Sequence, residues 1–499
     1  MPRRSVDAAR PHYNVIFAVL LLGISAYALL QSLVAPVLAT LIVALHTTQD
    51  TATWLMTAYL LAASVATPIL GRIGDKVGKE RMLVLTLLAL TAGSGLAAVS
   101  HSIGLMIIAR VIQGLGGGLL PLSFGIIRDE FPAAKVNGAI GIGSAMTAVG
   151  GGLGLLVAGP IVAHLDYHWL FWLPMIMTGV ATVATWLWIP ESPVRTPGRI
   201  SWGSAGLLSA WLVMLLLAAS EGPNWGWAST RVLGLFAGAL VCLPLWIWRE
   251  LRSPQPLIDM RMMRRPAVWT TNVVALLFGV GMYSIMTFLP QLVQTPKAIA
   301  GYGLSASITQ SGVYLLPMTV GMFLLGIAAA PLARRIGLKG VLLLGCIVTV
   351  PGYVLLALGH SQGWQIYLTS SILGIAIGLA FSSMSAIVVK SVPPEQTGVA
   401  SGMNANIRTI GGAIGSSVAA SILASGVTLK NPIPKDSGYT NVFWLLAAVA
   451  VLAALAAVII PMGRADEDAA GPSITARQPG RDDQDRDDQD RQTRTSVVG

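Results

Sequence analysis

Apolar residues run through this chain in long blocks, without the alternation of strands or the half-polar faces of soluble helices. A membrane-crossing helix needs about 20 mostly apolar residues. Fourteen blocks meet that length, at 15–40, 53–72, 82–100, 104–127, 138–162, 169–189, 203–220, 231–248, 268–292, 307–331, 340–359, 364–388, 397–425 and 441–462. The links between them are short and carry turn residues, such as Ser100–His101–Ser102 and Pro393–Pro394. Glycine and proline recur inside the blocks (Gly93, Gly95, Pro174, Pro244, Pro317), as membrane helices tolerate. The pattern predicts an all-α polytopic membrane protein.

Composition agrees. Of 499 residues, 54% are hydrophobic and 11% charged, with a mean hydropathy of +0.70. A soluble domain has about twice that charged fraction. The net charge of +10 does not predict a nucleic-acid partner, because the cations form no single basic face. They sit between apolar blocks, where they set orientation. With a cytoplasmic N-terminus, the inner segments before the tail carry 20 cations: Arg3, Arg4, Arg10, Arg72, Lys76, Lys79, Arg81, Arg128, Lys135, Arg195, Arg199, Arg249, Arg252, Arg261, Arg264, Arg265, Arg334, Arg335, Lys339 and Lys390. The outer loops carry 4: Arg231, Lys297, Lys430 and Lys435. This bias predicts a multi-pass protein of the cell membrane with both termini cytoplasmic. The run after Arg10 resembles a signal peptide, but it continues to about Ala44 and reads as an uncleaved first helix. Cys242 and Cys346 fall inside apolar blocks and read as buried thiols. From about Gly463 the apolar pattern stops. The tail, with RDDQDRDDQDR at 481–491, reads as disordered.

Between the second and third blocks lies Gly71-Arg-Ile-Gly-Asp75-Lys76-Val-Gly78-Lys79-Glu80-Arg81. Gly71 permits close approach of a neighbouring helix, and Gly78 a turn without steric penalty. Asp75 can pair with a cation or face a helix N-terminus. This segment resembles the loop signature of the major facilitator superfamily, with Glu80 where a second basic residue is usual. A weaker echo, Ala330-Pro-Leu-Ala-Arg334-Arg335-Ile-Gly337, follows the tenth block with Arg334 in place of Asp75. The resemblance implies a major facilitator fold of two six-helix bundles plus two extra helices. The N-terminal bundle would cover 1–195, the inserted pair with its loop 196–262, the C-terminal bundle 263–462 and the tail 463–499. Fourteen spans resemble the drug:proton antiporter family of that helix count.

The fourth block contains Arg110-Val-Ile-Gln113-Gly114, which resembles that family's arginine–glutamine–glycine motif. A membrane arginine costs at least about 2.5 kcal/mol near a helix centre, so it faces an interior and marks function, or bonds helix carbonyls structurally. The fifth block contains Gly150-Gly-Gly-Leu-Gly154, then Ala158-Gly159-Pro160, and resembles the antiporter motif, with Gly151 where proline is usual. Gly150, Gly154 and Ala158 share one face and suit close helix packing.

Acids are missing where relatives place them. No aspartate stands near Gln31, and none of the 22 acids lies deep in a block. Asp50 and Glu221 stand near outer helix ends; Asp75, Asp129, Glu130 and Glu250 stand near inner ones. The deeply placed charges are Arg110 and Arg408, and Arg408 could instead snorkel to the cytoplasm. Gln31, Trp54, Tyr59, Gln113, Asn272, Tyr283, Gln310, Asn404 and Asn406 are candidates to line a cavity or to join helices. No phosphate-cradling loop is present, which removes ATP-driven transport.

The resemblance implies export of drug-like or secondary-metabolite molecules by proton antiport, with alternating access. It assigns Gly71, Asp75, Lys76, Gly78 and Lys79 to gating, with Asp129 as partner, and Arg110, Gln113 and Arg408 to coupling or the cavity. The expected partners are a small-molecule substrate, protons and the lipid bilayer, with no nucleic acid, cofactor or metal, and the expected state is a monomer. Proton-coupled uptake of a metabolite is the alternative. A membrane-embedded enzyme would need clustered ligands, and only His164 and His168, beside Asp166, stand close together.

Overall fold

A computed structural model describes residues 12–191, 201–254, 256–393, 396–425 and 433–461. The tail at 463–499, the boundary at 195–196, and Arg3, Arg4, Arg10, Arg195, Arg199 and Lys430 lie outside the described residues. Thirteen described helices are long and apolar enough to cross a membrane. They begin with α1 (Tyr13–Val37), α2 (Thr51–Val77), α3 (Lys79–Ala98), α4 (Ile103–Glu130), α5 (Ala133–His164) and α6 (Trp169–Trp188). Next come α7 (Trp202–Trp225), α8 (Thr230–Arg252) and α9 (Pro266–Gln294). The helix Ile308–Leu358 is 51 residues long, too long for one crossing. It breaks at Gly337, at φ 75° and ψ 160°, into α10 (308–336) and α11 (338–358). Then follow α12 (Gly363–Lys390), α13 (Thr397–Ala424) and α14 (Asp436–Ile459). Fourteen spans result, as the apolar blocks predict.

Local sequence explains where helices start. Ser102, Ser229 and Ser307 each accept a backbone N–H from the first turn of α4, α8 and α10. Ser307 and Gln310 complete a capping box, with the Gln310 Oε1 accepting the Ser307 N–H at 3.0 Å. Helix 4 tightens to a 3₁₀ turn over Leu115–Gly118, where Gly116, Gly117 and Gly118 press against neighbours.

The connection between α2 and α3 differs from the sequence reading. Asp75 and Lys76, expected in a loop, belong to the last turn of α2, and Lys79 already opens α3. Gly78 alone makes the corner, at φ 131°. An L-residue rarely adopts that conformation, so glycine permits a one-residue joint. The corner at Gly337 matches it in the second half. Both corners, with most of the described cations, lie at one end of the molecule, here termed the basic end.

Helices α1–α6 and α9–α14 make the two bundles, each around its own apolar core, with Leu87, Leu90 and Leu122 buried in the first and Ile285, Leu289 and Leu342 in the second. The bundles meet along α2 with α13 and α5 with α10, and also along α4 with α13 and α5 with α12. Helix α7 touches both α2 and α13, while α8 packs mainly on α7. The outer faces stay apolar, as at Leu85, Leu88, Leu240, Val241, Leu452 and Leu455. Helices apolar all round suit a lipid surround.

Candidate functional site

Three charges meet behind the Gly78 corner. The Lys79 Nζ lies 2.6 Å from the Asp129 Oδ2 and 3.8 Å from the Asp75 Oδ1, with all three side chains about 1% exposed. Gly125 leaves room for the lysine: a Cβ there would stand 2.8 Å from the Lys79 Cε. One ammonium lies between two carboxylates, with Arg72 also in electrostatic reach of Asp75. The Asp75 carboxylate faces the first turn of α13, where a Cβ on Gly398 would lie 3.2 Å from both its oxygens. The first N–H groups of a helix lack intrahelical acceptors, and its dipole favours an anion there. The acid thus belongs to one bundle and the helix end that it faces to the other. Gly71 makes this possible, since a Cβ there would meet the Gly398 carbonyl oxygen at 3.1 Å. Lys76 is half-buried and joins no ion pair among the described residues. Arg81 pairs with Glu191 at 3.0 Å on the outside of the same corner.

Arg128, which the sequence reading treated only as an orienting cation, adds a second bridge. Its Nη1 donates to the Val389 carbonyl at 2.6 Å and to the Thr397 Oγ1 at 2.7 Å. The signal in the sequence is its place beside Asp129 at the end of a span. Further along α2 and α13, Gly402 nears Thr67, and the Asn406 Nδ2 donates to the Ser64 carbonyl at 2.6 Å.

The glycines of α5 serve two faces. Cβ atoms on Gly150 and Gly154 would strike α1, at 2.6 Å from the Ala28 Cβ and 2.0 Å from the Ser32 Oγ. Those on Gly152 and Gly159 would strike α10, at 1.7 Å from the Thr319 Oγ1 and 2.5 Å from the Thr309 Oγ1. Pro160 is exposed on the same helix.

The two membrane arginines flank a group of tyrosines at the middle of the seam. Arg110, 0% exposed, donates from Nε to the Leu55 carbonyl and from Nη1 to the Gln113 Oε1, both at 2.8 Å. Its guanidinium lies over the Tyr59 ring at 4.2 Å. Gln113 in turn donates to the Ser94 Oγ at 3.2 Å. Arg408, 5% exposed, lies over the Phe381 ring at 4.1 Å, in electrostatic reach of Tyr27 and Tyr283. Tyr27 and Tyr59 are buried beside each other, so the group draws on α1, α2, α4, α9 and α13.

The other candidates separate. The Asn404 Nδ2 donates to the Asn272 Oδ1 at 2.9 Å and ties α13 to α9. Gln31, Trp54 and Tyr283 are half-buried on α1, α2 and α9. Gln310 is exposed and engaged in its capping box. Glu221 and Glu250, placed near helix ends by the sequence, are both buried. Glu221 meets the Asn224 Nδ2 at 3.3 Å, and Glu250 accepts the Leu257 N–H at 2.8 Å. His168 pairs with Asp166, and no three potential metal ligands gather among the described residues.

Residues 20–416 match the model of the Major Facilitator Superfamily. Over 374 residues the chain is 30% identical to the multidrug transporter protein MdtP of Bacillus subtilis, an alignment covering 73% of this chain and 66% of that protein. It is 27% identical to multidrug resistance protein 3 of the same species, over 82% of this chain and 80% of the relative. It is also 27% identical to the tetracenomycin C resistance and export protein of Streptomyces glaucescens, over 77% of this chain and 71% of that one. Among solved structures, the human organic anion transporter MFSD10 superposes with a TM-score of 0.66 at 17% identity, covering 90% of this chain and 100% of that one.

Proposed function

We propose, since the chain belongs to the Major Facilitator Superfamily, that this secondary transporter exports drug-like molecules by proton antiport. It is a transporter and not an enzyme. Such proteins expose one central site to each side in turn by rocking two bundles about it. In our reading the protein sits in the cell membrane with the basic end and both termini in the cytoplasm, and works as a monomer. The cation bias of the sequence supports that orientation.

The observation that carries the mechanism is the buried Lys79–Asp75–Asp129 cluster docked on the first turn of α13. It is a latch for the cytoplasmic side. Rocking the bundles apart there would carry Asp75 away from the α13 N-terminus and break the bonds of Arg128 and Asn406. These contacts are charge-assisted or buried, so they favour the closed state strongly, yet all depend on one interface. Tyr59, Tyr283, Gln31 and Trp54 then face the substrate path, with Arg110 and Gln113 tying α4 to α2 and α3 beneath it. The carboxylates available to carry a proton are the buried ones near helix ends, Asp75, Asp129, Glu221 and Glu250.

The test is drug efflux in cells with and without the protein, with and without a protonophore. Protein-dependent efflux that collapses with the proton gradient is expected. Efflux that continues without the gradient would sink the antiport mechanism.

A further inference from the structure

Two buried arginines at the centre of a membrane protein are held differently, though each leaves one buried nitrogen without an acceptor, Nη2 of Arg110 and Nε of Arg408. Arg110 donates to the Leu55 carbonyl and Gln113 from within its own bundle. Arg408 has Tyr283 beside its guanidinium, but its Nε is buried and meets no acceptor. It lines a small crevice between the bundles, on the basic side of the tyrosines. The crevice walls combine Leu120, Phe124 and Phe381 with Ser385, Ser401 and Asn404. The Ser401 hydroxyl is likewise buried with no partner. No carboxylate lines the crevice.

A desolvated guanidinium without a counter-charge is costly, and an anion that binds it removes that cost. A cation entering the same space meets a like charge at low dielectric, where Coulomb repulsion is least screened. The planar fork of arginine matches a carboxylate with two parallel N–H bonds. The crevice has room for about one water in this closed arrangement, so its apolar walls would meet the hydrophobic body of such a molecule only once the bundles part.

We propose that Arg408, with Ser401, forms an anion subsite, and that the exported molecules are amphiphilic organic anions held by a carboxylate or phenolate against this guanidinium. The substrate class so named rests on reading the chain as an exporter. Arg110 is the fixed cation beyond it and deepens the positive field without contacting the ligand.

The full chain in phosphatidylcholine nanodiscs tests this with two dyes on one ring system, a carboxylated fluorescein and a cationic rhodamine ester. Fluorescence polarisation should show the wild type binding the fluorescein roughly tenfold more tightly than the rhodamine. Arg408→Gln should weaken fluorescein binding roughly tenfold without weakening rhodamine binding, and Arg408→Lys should fall between. Gel filtration and thermal unfolding report whether each variant folds, and the wild-type comparison stands if neither does. Tighter binding of the rhodamine by the wild type overturns the proposal, as does unchanged fluorescein affinity in a folded Arg408→Gln. A roughly tenfold loss of fluorescein affinity on adding phosphatidylglycerol also overturns it, by giving the subsite to a lipid headgroup. If fluorescein binds as stated but neither dye crosses energised vesicles, the subsite stands and the export reading falls.

Discussion

Asn406 and Ser64 are 342 positions apart in the chain and 2.6 Å apart in the fold, the amide of one donating to the carbonyl of the other across the two bundles. Because the bond links α13 to α2, it can exist only while the bundles are closed at the basic end. Asn406→Ala should therefore shift the equilibrium toward opening. A buried carbonyl left without a donor costs about 1–3 kcal/mol, a shift of roughly fivefold or more. Thiol labelling of a cysteine placed at Ser385, in the crevice, should accelerate accordingly. An unchanged labelling rate would show that this bond does not hold the closed state.

Asp75→Asn keeps the shape of the acid and removes its charge. Lys79 retains Asp129 at 2.6 Å, so the protein should fold and reach the membrane. The attraction to the α13 N-terminus is lost, and efflux at equal expression should fall by roughly tenfold, about 1.4 kcal/mol of the closed-state preference. Wild-type efflux from the mutant would remove Asp75 from the latch.

Gly151 and Gly152 are neighbours with opposite surroundings. A Cβ on Gly151 meets nothing within 4 Å, whereas one on Gly152 would overlap Thr319 of α10 at 1.7 Å. Gly151→Ala should be neutral or stabilising by up to about 1 kcal/mol, through helix propensity alone. Gly152→Ala should lower the apparent melting temperature and slow transport, since α5 and α10 must separate to admit the methyl group. Equal behaviour of the two variants would mean that the α5–α10 contact is not close-packed in the working protein.

Topology offers a fourth check. Reporters fused after Gly463 should be active only where a cytoplasmic reporter works. Activity of an external reporter there would invalidate the inward placement of the basic end.

Much of the architecture was readable in advance because lipid imposes one rule on every span: enough consecutive apolar residues to cross. That rule located fourteen spans to within a few residues, and Gly78 and Gly337 marked the tight corners. It did not reveal that α2 runs on through Asp75 and Lys76, because polar residues at a helix end look the same as polar residues in a loop. The spacing Ser307-x-x-Gln310 is that of a capping box, which accounts for a glutamine that otherwise reads only as a candidate to line a cavity or to join helices. Contacts such as Arg128 with Thr397, or Asn406 with Ser64, depend on which helices face each other across the seam. No local pattern encodes that pairing, so the sequence could nominate Asp75, Lys79 and Asp129 but not the helix end against which Asp75 rests.

The corners at Gly78 and Gly337 have a mechanical meaning. A loop of several residues is a tether: one helix can tilt while its neighbour stays. A joint of one residue has no slack, and α2–α3 and α10–α11 turn as rigid elbows. Each bundle carries one elbow at the same end, and one arm of each, α2 and α10, lies on the seam. In the exporter we propose, force applied to the seam by a bound molecule would be carried outward to α3 and α11 as rotation, so each bundle would swing as a body instead of bending around its cargo.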